Sequence, residues 1–477
     1  MKKILFVTSE AHPLIKTGGL ADVCGSLPKA LAELSQDIRL IIPNYQSLKT
    51  TENVRFLSSI RVDNRNINLL ETSMPDSHVI VWLVDYPAYY NYPGNPYVDG
   101  EGEPWPNNAE RFGLFCRIVT EVAMNRINQD WAPDIVHCND WQSGLVPALL
   151  SLEEDRPATV FTIHNMAYQG LFPSASAATL NLPGQLWHPA GLEFHSMLSF
   201  IKGGLVYADF ITTVSPTYAL EIQTPEFGYG LEGLLEYRKE FLGGIINGID
   251  LDQWDAEKDP NILQCYNAKS LNKKLLNKAE LQAKYGLPVD EDIPLFGLIG
   301  RLVEQKGIDL LLDCLSEMVT MNLQFVLLGS GDKVYEKALQ AFADLHPDKI
   351  AIKIGYDESL AHLIEAGADV FIMPSRFEPC GLNQMYSQRY GTIPIVRKTG
   401  GLADTVIDAL PETLRNQTAT GIVFNEATPS ALLEAIKRTL ILYSMPDSWK
   451  KIQVNAMSKD FSWQRSAEQY LALYERL

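Results

Sequence analysis

Short runs of apolar residues recur along the chain, and longer segments with apolar residues at helical spacing separate them. The runs lie at residues 4–7, 40–42, 79–84, 135–138, 159–163 and 210–214 in the first half, and at 295–299, 325–328, 350–354, 370–373, 393–396 and 422–424 in the second. Apolar strands that alternate with amphipathic helices are typical of parallel sheets covered by helices on both faces. The pattern therefore predicts an α/β fold with two doubly wound domains.

The two sets of strands are separated near residues 243–250, where Gly-Gly-Ile-Ile-Asn-Gly-Ile-Asp ends one block and a polar, helical segment opens the next. We expect a first domain over residues 1–243 and a second over residues 244–456. Residues 457–477 predict an amphipathic helix whose packing face carries Trp463, Tyr470, Leu473 and Tyr474. The pattern leaves open which domain this helix packs on.

The chain has 477 residues, of which 46% are hydrophobic, and a formal net charge of −18. This length fits two domains or more. The acidic balance opposes nucleic-acid binding, which needs a basic surface. No apolar run reaches the ~18 residues of a membrane span, so we expect neither a nucleic acid nor a membrane as a partner. None of these patterns predicts an oligomeric state.

The first residues combine two lysines with a short apolar run, which Glu10 and His12 interrupt. We interpret this segment as a β-strand and not as a signal peptide. The cysteines are spread widely, without a Cys-x-x-Cys pair or a nearby pair of histidines; they are Cys24, Cys116, Cys138, Cys265, Cys314 and Cys380. This usage predicts a cytoplasmic, reduced protein without structural zinc.

A glycine turn follows the first predicted strand, in the motif Lys-Thr-Gly-Gly-Leu-Ala-Asp at residues 16–22. Gly18 and Gly19 let backbone approach a ligand closely, and Lys16 supplies a point charge for phosphate. A tight turn with a solvated lysine is the alternative. The same seven letters recur at residues 398–404, which predicts either a shared way of starting a helix or a second glycine turn that faces the same cleft.

Two further motifs follow strands of the second domain. Gly-Arg-Leu-Val-Glu-Gln-Lys-Gly at residues 300–307 places Arg301 and Lys306 where ligands of open α/β sheets bind, and two cations there suit a pyrophosphate. Ser-Arg-Phe-Glu-Pro-Cys-Gly-Leu-Asn-Gln at residues 375–384 places Glu378 beside a helix start, where a carboxylate can hold sugar hydroxyls. A capping or ion-paired role for Glu378 stays open, and Cys380 fits a small buried side chain better than a reactive thiol.

In the first domain, polar residues end two predicted strands. His164 and Asn165 follow one strand, and Asp140 follows another. Because both ends lie at the carboxyl edge of the sheet, we expect these side chains to share a cleft with Lys16. The aromatic residues that could stack on sugar faces are Tyr97, Trp105, Trp141 and Tyr168, although core packing is the default for each.

Several other chemistries lack their motifs. Gly-Tyr-Gly-Leu-Glu-Gly at residues 228–233 fits the dinucleotide-binding pattern, but no strand precedes it. The sequence contains no Walker A motif, no Gly-x-Ser-x-Gly elbow and no His-Glu-x-x-His. Hydride transfer, P-loop hydrolysis, esterase chemistry and zinc proteolysis are therefore not supported.

Four motifs resemble those of bacterial glycogen synthases and plant starch synthases in both order and spacing. They are Lys-Thr-Gly-Gly-Leu-Ala-Asp at 16–22, Ile-His-Asn at 163–165, Arg-Leu-Val-Glu-Gln-Lys-Gly at 301–307 and Glu-Pro-Cys-Gly-Leu at 378–382. The resemblance implies a GT-B fold with two Rossmann-like domains and an active-site cleft between them. It implies that residues 1–243 hold the acceptor, that residues 244–456 bind the nucleotide sugar, and that the helix at 457–477 crosses back to the first domain.

The resemblance also implies the reaction, which is transfer of glucose from ADP-glucose to the non-reducing 4-hydroxyl of an α-1,4-glucan. The configuration is retained, and no metal or other cofactor is expected. The implied catalytic residues are His164, Glu378, Arg301 and Lys306. Among these, Arg301 and Lys306 clamp the diphosphate, Glu378 touches the donor glucose, and His164 meets the sugar and helps to order the transition state.

The resemblance assigns further residues to binding. The implied donor contacts also include Lys16, Gly18, Gly19, Tyr356, Cys380, Gly381, Leu382 and Asn383, of which Tyr356 stacks on adenine. The implied acceptor contacts are Tyr97, Asp140 and Asn165. Asn383 stands where many bacterial relatives have threonine, so its polar contact is expected to differ in detail.

Three other functions remain as alternatives. The first is a GT-B transferase that uses UDP-glucose or a small acceptor. The second is a phosphorylase, although no lysine lies in a context that suggests pyridoxal phosphate. The third is a glucan-binding or regulatory module whose active site is inactive. The presence of every cation of the motifs, together with His164 and Glu378, argues against it.

Overall fold

The computed structural model describes residues 1–49 and 53–477 and divides them into two compact units. Unit 1 comprises Met1–Gly248 together with Trp463–Leu477, and unit 2 comprises Ile249–Ser462. The first division falls after Gly248, beyond the expected residue 243, because Ile245 still donates its backbone N–H to the carbonyl oxygen of Thr213 at 2.8 Å. No helix of the described residues is long and apolar enough to cross a lipid bilayer.

Unit 1 is built on one large mixed sheet and a small antiparallel one. Its strands are β1 (Lys3–Val7), β2 (Asp37–Pro43), β3 (Arg55–Val62), β4 (Arg65–Ser73), β5 (Ile80–Asp85), β6 (Ile135–Asn139), β7 (Ala158–Ile163), β8 (Leu171–Pro173), β9 (Glu193–Phe194), β10 (Met197–Ser199), β11 (Phe210–Thr213) and β12 (Leu242–Gly244). The large sheet has the order β12-β11-β7-β6-β1-β2-β5-β4-β3, and the small one has the order β8-β10-β9. The strand order reverses between β1 and β6, which is where open α/β sheets bind ligands.

Helices cover both faces of the large sheet. Those that precede unit 2 in the chain are α1 (Gly19–Glu33), α2 (Pro87–Tyr90), α3 (Asn108–Ala123), α4 (Leu145–Leu150), α5 (Ala175–Thr179), α6 (Phe200–Tyr207), α7 (Pro216–Glu221) and α8 (Glu232–Tyr237). The central strand β1 is fully buried from Ile4 to Val7. Such a strand has no polar face, which explains why its sequence is a continuous apolar run.

Unit 2 is a parallel sheet of order β15-β14-β13-β16-β17-β18. Its strands are β13 (Leu295–Leu302), β14 (Gln324–Gly331), β15 (Ile350–Ile354), β16 (Val370–Met373), β17 (Ile393–Arg397) and β18 (Ile422–Phe424). Its helices are α9 (Lys274–Tyr285), α10 (Ile308–Met318), α11 (Lys333–Leu345), α12 (Glu358–Gly367), α13 (Asn383–Arg389), α14 (Gly400–Thr405), α15 (Pro411–Arg415), α16 (Pro429–Tyr443) and α17 (Pro446–Met457). Its order reverses between β13 and β16.

Successive residues of β14 point into two different hydrophobic cores. Phe325 and Leu327 belong to one core, whereas Val326 and Leu328 belong to the other. Side chains alternate across a strand, so the two cores lie on opposite faces of the sheet. This arrangement confirms the predicted doubly wound α/β fold.

The helix α18 (Trp463–Tyr474) belongs to unit 1, although it follows unit 2 in the chain. The hydroxyl of Ser466 donates to the carbonyl oxygen of Ile246 at 2.6 Å. The hydroxyl of Tyr474 lies 2.6 Å from Nδ1 of His137, a fully buried residue of β6. The helix begins at Trp463 and not at residue 457, because Met457 is the last residue of α17.

All the strands that the apolar runs predict are present, but the runs did not reveal the short strands β8, β9, β10 and β12 or the longer strands β3 and β4. These two strands form an antiparallel hairpin whose turn is Asp63-Asn64, with both residues at positive φ. Exposed and buried residues alternate along β4, so no continuous apolar run marks it. A two-residue turn of this type between alternating segments was the signal that could have found the hairpin.

Candidate active site

In unit 2, the loop after β13 packs against the residue that follows β16. Arg301 is exposed near the carboxyl end of β13, and Lys306 ends a short 3-10 turn at Glu304–Lys306. The turn is closed by Gly307 at φ 69°, where an added Cβ would lie 2.1 Å from the carbonyl oxygen of Pro374. Only glycine permits this approach, which brings both cations to the carboxyl ends of adjacent parallel strands.

The loop after β16 supplies the partner of Lys306. The ammonium of Lys306 donates to Oε2 of Glu378 at 2.5 Å, and the hydroxyl of Ser375 donates to the same oxygen at 3.0 Å. The backbone N–H of Arg376 donates to the carbonyl oxygen of Gln305 at 2.8 Å, which ties the two loops together. The structure thus joins the second and third motifs of the sequence around one buried carboxylate.

The second glycine pair packs behind this carboxylate. An added Cβ on Gly400 would lie 2.0 Å from the carbonyl oxygen of Glu378, and one on Gly401 would lie 2.2 Å from that of Cys380. The backbone N–H of Gly401 donates to the carbonyl oxygen of Glu378 at 3.2 Å. The repeated motif at residues 398–404 therefore supports the loop through close packing, and its glycines do not open onto a cleft.

The remaining predicted donor contacts of unit 2 lie around the same loop, except Tyr356, which follows β15. Cys380 is buried, and Gly381 adopts φ 74° just before α13. Asn383, the first residue of α13, donates through its side-chain amide to the carbonyl oxygen of Ile299 at 2.9 Å, so it links the loop to β13. Leu382 is partly exposed beside it.

Tyr356 lies just beyond β15 with its ring on the surface. The residue is 77% exposed and follows Gly355, which adopts φ 130°. Such exposure is unusual for a tyrosine, which normally buries most of its ring. A ring held at the carboxyl edge of a parallel sheet suits stacking against a planar base.

In unit 1, the first glycine turn is open. A Cβ added to Gly18 or Gly19 would meet nothing within 4 Å, and helix α1 begins at Gly19. Lys16 is exposed and pairs with Asp22 of α1 at 2.6 Å. The backbone N–H groups at the start of a long helix attract anions. The open turn therefore leaves room for an anionic ligand to approach the start of α1.

Glu10, which the sequence analysis treated only as an interruption of an apolar run, holds this turn in place. Its buried carboxylate accepts the backbone N–H of Thr17 at 2.5 Å, the hydroxyl of Thr17 at 2.7 Å and the hydroxyl of Tyr97 at 2.7 Å. Burial raises the pKa of Glu10. A charged residue three positions after a buried strand was the signal that could have identified it.

The hydroxyl of Tyr97 is therefore occupied by its hydrogen bond to Glu10. That hydroxyl also lies 2.7 Å from Oγ of Ser9, and burial raises the pKa of Tyr97 well above its usual value. Its half-buried ring is the part that can reach a ligand. The predicted acceptor residue thus joins the glycine turn through Glu10.

The ends of β6 and β7 meet as the sequence predicts. One oxygen of Asp140 accepts the backbone N–H of His164 at 2.8 Å. Asp140 adopts φ 55°, a strained conformation for a residue that is not glycine. Burial raises its pKa to about 7, and the nearby charge of Glu10 adds to this effect. Asp140 and His164 therefore lie close to Glu10 and to the glycine turn that Glu10 holds in place.

His164 is oriented by a residue that the sequence analysis did not single out. Its Nε2 lies 2.9 Å from Oδ1 of Asn139, the last residue of β6. Burial lowers the pKa of His164 to about 3, so the ring is neutral. Asn165 follows, with its side-chain oxygen accepting the backbone N–H of Ala167 at 3.0 Å.

Metal-ligand clusters and disulfides are not found among residues 1–49 and 53–477. No group of three or more His, Cys, Asp or Glu side chains there is arranged to hold a metal ion. The six cysteines form no disulfide with one another, and only Cys265 among them is partly exposed.

Two family profiles match the chain in the two units. The family described as "Starch synthase catalytic domain" matches residues 3–237, and the family described as "Glycosyl transferases group 1" matches residues 277–454. The first match covers the open glycine turn, Asp140 and His164. The second covers the Arg301 and Glu378 loops.

Curated relatives match along the whole chain. A protein named glycogen synthase 1 from Methylococcus capsulatus is 54% identical over 99% of this chain and 96% of its own length. One named glycogen synthase from Thioalkalivibrio sulfidiphilus is 53% identical over 100% of this chain and 99% of its own.

Solved structures share the fold. The catalytic domain of starch synthase IV from Arabidopsis thaliana, bound to ADP and acarbose, superposes with a TM-score of 0.89 at 33% identity, covering 100% of this chain and 99% of that one. Sucrose-phosphate synthase from Thermosynechococcus elongatus, at 18% identity and a TM-score of 0.60 over 100% and 99% of the two chains, shares the fold alone.

Proposed function

The chain belongs to the family of bacterial glycogen synthases and plant starch synthases, glycosyltransferases of the GT-B fold, and on that premise we propose its reaction. It transfers glucose from ADP-glucose to the non-reducing 4-hydroxyl of an α-1,4-glucan, with retention of configuration. One observation carries this proposal for the chain itself: the contact of Lys306 with Glu378 joins a cationic loop and a carboxylate loop at the ends of two parallel strands.

Unit 2 is the proposed binding site of the donor. Arg301 and Lys306 bind the diphosphate, since two cations at the carboxyl end of a sheet suit a dianion. Tyr356 stacks on the adenine through its exposed ring, and Glu378 contacts the glucose. The loop that runs from Cys380 through Gly381 and Leu382 to Asn383 lines the same site.

Unit 1 is proposed to act on the sugar and the acceptor. The N–H groups of the Gly18-Gly19 turn, with Lys16 beside it, attract anionic oxygens of the donor. His164 meets the glucose. Asn165, Asp140 and the ring of Tyr97 are the proposed acceptor contacts. Glu10 accepts a hydrogen bond from Tyr97 and lies close enough to Asp140 to raise its pKa.

The chemical step breaks the bond from C1 of glucose to the diphosphate oxygen and forms a bond from C1 to the acceptor 4-oxygen on the same face. The acceptor proton passes to an oxygen of the departing β-phosphate. Positive charge grows on the sugar as in an oxocarbenium ion, and negative charge grows on the diphosphate. Arg301 and Lys306 stabilise that growing negative charge, which is preferential binding of the transition state.

The cytoplasm is the proposed compartment. Six cysteines without a disulfide among them suit a reducing environment, where structural disulfides are rare. The proposed partners are ADP-glucose and the glucan.

The decisive experiment compares incorporation of labelled glucose from ADP-glucose and from UDP-glucose into glycogen by the full-length protein. We expect ADP-glucose to be the much better donor and the product linkage to be α. Arg301→Ala and Lys306→Ala should each reduce turnover sharply. Equal use of UDP-glucose would overturn the donor assignment, and wild-type turnover in both variants would overturn the clamp.

A further inference from the structure

Asn139 has only one possible orientation in its hydrogen-bond network. Its side-chain NH₂ group lies 3.0 Å from the carbonyl oxygen of Val7 and 3.5 Å from that of His137. A carbonyl oxygen can only accept, so the NH₂ group must face these two atoms. The side-chain oxygen Oδ1 must then face the other way, toward His164.

That orientation determines where His164 carries its proton. Oδ1 of Asn139 lies 2.9 Å from Nε2 of His164 and can only accept. Nε2 therefore carries hydrogen. A neutral imidazole has one protonated nitrogen, and burial keeps this ring neutral by lowering its pKa. Nδ1 is consequently the unprotonated nitrogen.

The surroundings of the ring leave Nδ1 for a ligand. The backbone N–H of His164 donates to Asp140, which holds the residue from a second side. No described residue makes a hydrogen bond with Nδ1. The other titratable group close to the ring is His137, whose pKa burial lowers to about 3, so it adds no positive charge.

We propose that Asn139 is a positioning residue that holds His164 in the Nε2–H tautomer, so that Nδ1 accepts a hydrogen bond from a hydroxyl of the bound sugar. This inference rests on the proposed function, in which His164 meets the donor glucose. The opposite tautomer would present an N–H at the same position and would attract acceptor-only oxygens, such as those of phosphate. Asn139 thereby selects which kind of oxygen His164 can bind.

The test uses the full-length protein labelled with ¹⁵N at histidine, with the resonances of His164 assigned by their loss in His164→Gln. In the ligand-free wild type, we expect Nε2 to be protonated and Nδ1 to be unprotonated. In Asn139→Ala, we expect the signals to move toward the other tautomer. The kcat for transfer from ADP-glucose should fall about tenfold or more, as when an oriented histidine loses its partner, with a smaller change in KM.

Ser143→Ala is the matched control. The hydroxyl of Ser143 donates to the carbonyl oxygens of Asn139 at 2.8 Å and of Asp140 at 3.0 Å, in the same turn but away from the imidazole. This variant should retain the wild-type tautomer and kcat. It separates loss of the imidazole partner from a general loosening of the turn.

Asn139→Asp is a second variant in case Asn139→Ala folds poorly. Its carboxylate still accepts from Nε2, but its charge raises the pKa of His164. We expect the Nε2–H signal to persist and the pH–rate profile to gain an acid limb that the wild type lacks.

Two results would overturn the proposal. The first is a wild-type spectrum with the proton on Nδ1, and the second is an Asn139→Ala variant with wild-type kcat. The tautomer is measured without substrate, so its failure leaves the proposed function intact. Wild-type turnover in His164→Gln would instead reject the role of His164 and leave the tautomer assignment standing.

Discussion

The ammonium of Lys306 lies 2.5 Å from Oε2 of Glu378, although 72 positions of the chain separate the two residues. The glutamate side chain is 7% exposed and the lysine side chain 25%. Removing both charges from water is costly, and the pair repays that cost only in part. The contact is therefore a weak source of stability and a good means of holding a cation at the strand ends.

Replacing Lys306 by alanine should affect both stability and turnover. The free energy of unfolding should fall by about 1 to 3 kcal/mol, because the buried carboxylate of Glu378 loses its charged partner. The kcat should fall by about 100-fold or more, as when a group that stabilises transition-state charge is removed. Urea unfolding and initial rates with ADP-glucose measure the two effects.

Lys333→Ala is the control for this variant. Lys333 also pairs with a glutamate of unit 2, Glu336 at 2.7 Å, but its side chain is 77% exposed. Both quantities should stay close to those of the wild type. Equal effects in the two variants would contradict a specific role for Lys306.

Asp140 should make stability fall as the pH rises. Burial raises its pKa to about 7, whereas the unfolded chain has an aspartate pKa of about 3.9. Between these values the folded protein holds a proton that the unfolded chain releases, so the folded state loses stability from about pH 4 to pH 7 and none beyond. Asp140→Asn should remove this contribution, which is roughly 1.5 kcal/mol at pH 5 and about 4 kcal/mol at pH 7 and above.

Urea unfolding of the wild type and Asp140→Asn at several pH values measures this difference. Asp209→Asn serves for comparison, because its effect on stability should have the opposite pH dependence. Pairing with Arg156 and hydrogen bonds from Thr159 lower the pKa of Asp209 despite its burial. That contribution is present above about pH 3.9 and is lost below it. An Asp140→Asn difference that does not grow with pH would show that the carboxyl is ionised throughout.

Tyr474→Phe should destabilise unit 1. The variant leaves Nδ1 of the buried His137 without the hydroxyl that now lies 2.6 Å away, at a cost of about 1 to 3 kcal/mol. Tyr237→Phe, at a tyrosine that is 84% exposed, should change stability by less than about 0.5 kcal/mol. Denaturant unfolding followed by circular dichroism compares the two, and equal midpoints would argue against a structural role for the buried contact.

Tyr356→Ala should weaken donor binding more than turnover. Stacking of a base on an aromatic ring contributes about 1 to 3 kcal/mol, so the KM for ADP-glucose should rise roughly tenfold. Tyr356→Phe keeps the ring and should keep the wild-type KM. A rise in KM with Tyr356→Phe as large as with Tyr356→Ala would point to the hydroxyl and against stacking.

The parallel strands were predictable because burial on both faces makes them continuous apolar runs, as in β1 and β14. The β3–β4 hairpin was not, since one face of it meets solvent and its apolar residues alternate. The division into compact units falls after Gly248, a few residues beyond the predicted residue 243, because the chain continues to bond to β11 beyond Gly243. Such contacts depend on backbone partners that no residue pattern records.

The positions of Arg301, Lys306 and His164 at strand ends were predictable from their motifs, and strand ends are where an α/β sheet binds ligands. Glu10 and Asn139 were not singled out, since their roles come from neighbours far away in sequence. Glu10 reaches Tyr97, and Asn139 reaches Val7. The repeated motif misled in the opposite way. The sequence at residues 398–404 is identical to that at 16–22, yet its glycines pack against backbone, whereas Gly18 and Gly19 are open.

The position of α18 has a consequence for synthesis of the chain. Residues 463–477 leave the ribosome after the whole of unit 2, yet they complete the packing around His137 of unit 1. Domains usually fold in the order in which they are made. Here unit 2 can reach its final fold first. The buried imidazole of His137 in unit 1 gains the hydroxyl of Tyr474 only after the last residues have been made.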